Sequence, residues 1–131
     1  MSTFVVATNS VHTSAAICDY LFDRVDAADT VYAINSLHDD DPEASRDGKD
    51  ALNAVASRLA AATTVETEQL SRGNAPAADI RSFSETVDAD EIVLGVRKPT
   101  ETSSVAIGDV SEQVLLQSDR PIVVVPHKLE T

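Results

Sequence analysis

Short apolar runs punctuate the chain, and between them apolar residues return every three or four positions. Residues 4–7, 30–34, 91–94 and 121–126 read as buried strands, and 63–70 alternates with β-branched residues, as a half-buried strand does. Ile17, Cys18, Leu21 and Val25 fall on one helical stripe, and Leu52, Val55, Ala56 and Leu59 on another. Ile80, Phe83 and Val87 give a third helix its apolar face, and Val110, Val114 and Leu115 a fourth. The punctuation agrees with this division. Thr8, Asn9 and Ser10 offer helix-cap chemistry after the first run. Residues 37–48 read as a polar, acidic loop, with the second helix starting at Ala44 or Asp50 and running to Ala61. Gly73 and Asn74 mark a turn, Pro76 suits a first helical position, and Gly95 ends the fourth strand.

Nine elements alternate between strand and helix, and such an alternation predicts one α/β domain over residues 1–131, a five-stranded, doubly wound parallel sheet with helices on both faces. In such sheets ligands bind beyond the carboxyl ends of the strands, where the winding reverses. Those ends are Ala7 to Ser10, Ile34 to Leu37 and Gly95 to Lys98, and the candidates among them are Ala7, Asn9, Ser10, Ile34, Gly95, Arg97 and Lys98. The last helix begins near Gly108, Asp109 and Val110, and its free amide groups would point into the same crevice. Together these ten residues form a candidate nucleotide or anion site.

Charge narrows the partners. The chain has 22 acidic against 10 basic residues, a net charge of −12, which disfavours binding to nucleic acid or anionic membrane. Only three residues are lysine, so the surface suits a halophilic source, in which salt screens self-repulsion. The single cysteine, Cys18, sits on the apolar stripe of the first helix and reads as a core thiol. Nothing at the N-terminus reads as a signal or membrane segment, which points to the cytoplasm. His38 and the following aspartates read as a solvated loop, since the calcium-loop ligand spacing is missing, and no metal is expected. Neither a nucleophile elbow nor a Walker-type phosphate loop occurs, and no catalytic residues are assigned.

The stretch from Glu91 to Arg97, the stretch from Gly108 to Leu115 and the proline-fenced run Arg120 to Pro126 together resemble the C-terminal half of universal stress proteins. Gly73, Asn74, Ala75 and Pro76 are similar to that family's turn into its third helix, and residues 4–14 to its first strand and loop. The resemblance implies strand order 3-2-1-4-5 and a homodimer joined through the last strand, here Ile122, Val123, Val124 and Val125. An apolar edge left open would invite aggregation, so twofold pairing of that strand makes independent sense.

Family members that bind ATP carry Gly-x2-Gly-x9-Gly-Ser/Thr. Gly95 and Gly108 match the first and third glycines, Lys98 replaces the second, and Asp109 replaces the Ser or Thr. Asn9 stands at the family's acidic position after the first strand, with Ser10 at the neighbouring glycine. A carboxylate at the start of a helix takes up the amides that a phosphate needs and opposes its charge, by about 1–4 kcal/mol per pair at 4 Å. The departures predict a non-catalytic stress-response module, homodimeric, with a degraded phosphate loop. The retained spacing and Arg97 support the alternative, a member that binds ATP or AMP.

Overall fold

A computed structural model describes residues 1–97 and 109–127, with the side chains of Arg97 and Asp109 outside the description. The elements run β1 (Thr3–Ala7), α1 (Val11–Phe22), β2 (Thr30–Ser36), α2 (Pro42–Leu59), β3 (Thr64–Leu70), α3 (Pro76–Thr86), β4 (Glu91–Arg97), α4 (Asp109–Gln117) and β5 (Ile122–His127). The five strands form one sheet in the order β3-β2-β1-β4-β5, and every pairing is parallel. The doubly wound fold and its strand order are those expected.

Strand periodicity divides the core into two layers. Phe4 and Val6 of β1 face one side with Ile17, Leu21, Val55 and Leu59, under α1 and α2. Val5 faces the other with Ile80, Ile92, Leu94 and Val114, under α3 and α4. Cys18 lies in the first layer, and burial pushes its thiol up to about 11, so it is a packing group.

Several boundaries differ from the expectation, and four have a local reason. α2 starts at Pro42, because the Asp41 carboxylate accepts from the Glu43 N–H at 3.0 Å and proline fits the first helical position. The acidic loop is thus shorter than 37–48, and Gly48 lies inside a helix. β2 runs on to Ser36 because β3 pairs with it as far as Leu70. β4 runs through Gly95 to Arg97, paired with β5 out to His127. β5 therefore runs one residue past the expected end, to His127, and keeps Pro126, which an edge strand tolerates.

At the amino ends of the strands, Asp29 acts as a clasp. It is buried, and its carboxylate accepts from the Asp26 N–H at 2.9 Å and the Ser2 N–H at 2.7 Å, while its carbonyl accepts from the Thr63 hydroxyl at 2.7 Å. The Asp26 N–H first, and then the Ser2 N–H, hold this carboxyl below its ordinary range despite burial. A carboxyl lowered on folding stabilises fully above its unfolded value, near pH 4, and the contribution fades as pH falls through the lower folded value. Denaturant melts between pH 6 and pH 3 should therefore show a steeper loss in the wild type than in Asp29→Asn. Parallel losses would remove Asp29 from the acid response.

Candidate functional site

The winding reverses between β1 and β4, and at their carboxyl ends the structure opens a crevice. Ala7, Asn9, Ile34, Gly95 and Val110, all expected at the site, line it. Ser10 is not among the lining residues. It is the N-cap of α1: its hydroxyl accepts from the Thr13 N–H at 3.1 Å and donates to Thr13 Oγ1 at 2.9 Å. Lys98 and Gly108 lie outside the described residues.

The β1 end is fixed by a chain of buried hydrogen bonds. The Thr8 N–H donates to the Ile34 carbonyl at 3.1 Å, and the Asn35 amide donates to the Thr8 carbonyl at 2.9 Å. Ser14 Oγ donates to the Ala51 carbonyl at 2.8 Å, and the Thr8 and Ser14 hydroxyls are hydrogen-bonded at 2.8 Å. Asn35 Oδ1 accepts from Gln69 Nε2 at 3.1 Å, and the same nitrogen donates to the Ser45 carbonyl at 2.9 Å. Room for this relay comes from Gly48, where a Cβ would stand 2.0 Å from Asn35 Oδ1. A polar relay therefore ties β1, β2, β3 and α2 together directly behind the crevice.

Gly95 meets a second close approach. A Cβ there would stand 2.6 Å from the Thr13 methyl and 3.4 Å from His127 Cδ2. Thr13 Oγ1 and His127 Nε2 lie 3.3 Å apart, so α1 and the end of β5 meet over the bare Cα of Gly95. This glycine has a packing reason to be glycine, whatever approaches it from the crevice.

The wall toward α3 is different. Pro76, Ile80, Ile34 and Leu94 supply its apolar lining, the last three as members of the core layer under α3 and α4. Ser36 borders it and donates to Asp79 Oδ2 at 2.6 Å, and Asn74 Nδ2 donates to Asp79 Oδ1 at 3.2 Å. Val110 and Ser111, in the first turn of α4, complete the rim. The crevice volume is about 160 Å³, room for several water molecules. Among the described residues no group of three or more His, Cys, Asp or Glu is placed to hold a metal.

The universal stress protein family model matches residues 2–126. The chain belongs to the universal stress protein family. Solved structures of other universal stress proteins share its fold. One from Archaeoglobus fulgidus aligns at 25% identity, covering 95% of this chain and 98% of its own, with a TM-score of 0.79. The universal stress protein from Archaeoglobus fulgidus in complex with dAMP aligns at 23% identity, over 95% and 98% of the two chains, with a TM-score of 0.72. A family protein from Arabidopsis thaliana with AMP bound aligns at 14% identity, over 98% and 93%, with a TM-score of 0.71. The curated proteins contain no match.

Thr8, Asn35 and Ser36 fall within the strand ends expected at the crevice, though not among the singled-out candidates, whereas Thr13, Pro76, Ile80, Leu94 and Ser111 of this universal stress protein lie outside those ends. One further signal lies in Gly48, a glycine within helical spacing, a mark of close packing.

Proposed function

We propose that this universal stress protein is a stress-response module that binds an adenine nucleotide, AMP in preference to ATP, without turning it over. One observation carries the reading. Apolar lining residues and the start of α4 meet in a single crevice at the point where the sheet's winding reverses. The dAMP and AMP complexes of similarly folded family members favour an occupied crevice over the degraded one expected from the loop. Arg97 and Lys98 are suited to a phosphate near the strand ends. Asp109 opposes the added charge of a triphosphate tail, which selects the shorter nucleotide.

Calorimetric titration in molar KCl tests this. AMP gives saturable one-to-one heat, ATP binds more weakly, and Asp109→Ser improves ATP by about tenfold, or 1.4 kcal/mol. Absence of saturable heat with either nucleotide would refute the reading.

The working unit is a homodimer through β5. Ile122, Val123, Val124 and Val125 are half-buried on the last strand of the sheet, whose outer edge carries no partner strand among the described residues. A second copy, paired about a twofold axis, covers that edge. Light scattering should give a dimer at micromolar concentration, weakened by Val124→Asp; a monomeric wild type would count against it. No helix among the described residues is long and apolar enough to cross a membrane.

A further inference from the structure

We infer that the Ser36–Asp79 pair makes the crevice select a nucleobase that presents an exocyclic amine over one that presents a carbonyl at the same position. The inference rests on the nucleotide reading above and adds the discriminating residue.

Asp79 is 3% exposed and does not line the crevice. An ionised carboxylate only accepts hydrogen bonds, and both of its oxygens are engaged: Oδ1 by Asn74 Nδ2, Oδ2 by the Ser36 hydroxyl. A serine hydroxyl has one proton, and here it is spent behind the wall. The remaining capacity of Ser36 Oγ is lone pairs. Ser36 is half-buried at the crevice, beside the apolar faces of Ile34, Pro76 and Ile80, where a flat base would lie. The neighbouring Asn35 belongs to the opposite face of β2, where its amide donates to the Thr8 carbonyl and accepts from Gln69. An amine on the base therefore meets an acceptor. A carbonyl there sets lone pairs against lone pairs and loses its water without replacement.

The geometry also predicts how to reverse the choice. In Asp79→Asn, the new amide keeps its oxygen toward the Asn74 donor, which turns its NH2 toward Ser36. Ser36 Oγ then accepts from behind and its proton turns to the crevice, so the wall becomes a donor.

Titrations with AMP and with IMP, which differ by amine against carbonyl, read this out. The wild type should bind AMP about tenfold more tightly than IMP. Ser36→Ala should bring the two within about twofold, and Asp79→Asn should favour IMP. A wild-type ratio near one, or a ratio unchanged in both variants with melting temperatures that show them folded, overturns the Ser36 assignment while leaving nucleotide binding intact. Failure of the wild type to bind either nucleotide overturns both. A variant that does not fold leaves the wild-type ratio to decide, and that ratio alone overturns the inference if it is near one.

Discussion

Gly48→Val should cost the fold about 3 kcal/mol, at the upper end for overpacking a well-filled site. The position lies inside α2, where valine is a slightly better helix former than glycine by a few tenths of a kcal/mol, so propensity alone predicts a small gain. Sterics decide the sign. The first added carbon would stand 2.0 Å from Asn35 Oδ1, 2.5 Å from Asn35 Cγ and 2.9 Å from Gln69 Nε2. None of these is a free chain end. Asn35 is buried, and its amide holds the Thr8 carbonyl. To admit valine, Asn35 must leave, which orphans Thr8 and unfastens the β1 end from β2. The loss should therefore appear both in urea melts and as weaker AMP binding. Asn35→Ala in the same chain should make the combined cost smaller than the sum by about 1 kcal/mol, the mark of two residues contesting one space. A Gly48→Val protein as stable as the wild type would dismiss the relay.

Gly95→Ala should cost about 2 kcal/mol and weaken AMP binding by about tenfold. Here the obstacle is a methyl group. The added carbon would meet Thr13 Cγ2 at 2.6 Å, and the His127 ring limits escape on the other side. Pushing Thr13 away disturbs the first turn of α1, which Ser10 and Thr13 lock together. Serine at position 13 keeps the hydroxyl and deletes the methyl. Thr13→Ser should thus recover at least half of the lost stability in the Gly95→Ala background, with AMP affinity returning alongside. If stability returns and affinity does not, Gly95 serves the phosphate directly as well as the packing.

These two glycines show what a sequence discloses and what it withholds. Gly95 drew notice because it ends an apolar run and matches a family spacing, and both readings point to the backbone. Its contact with Thr13 and His127 joins residues 114 apart in the chain, which no local pattern encodes. Gly48 was absorbed into an acidic loop, because Asp39, Asp40 and Asp41 masked the cap at Asp41 and the helix behind Pro42. The sheet itself was legible throughout: strands that are buried on both faces must be apolar runs, and Val5, Val6, Val31, Ile92 and Val93 say so plainly. Strand ends were less legible, since β2, β4 and β5 are extended by their partners rather than by their own composition. Ser36 is the clearest case. Alone it is a serine after an apolar run. Only the arrival of Asp79 from α3, 43 residues later, fixes which way its proton points.

Amide chemical shifts of isotope-labelled protein, followed as AMP is added in molar KCl, test the nucleotide crevice most directly. The predicted result is saturable movement concentrated at Thr8, Asn9, Ser36 and Ser111, with the Asp29 clasp at the far end of the sheet unmoved. Shifts confined to the groove between Arg81 and Arg120 at that far end, or none at all, would contradict it.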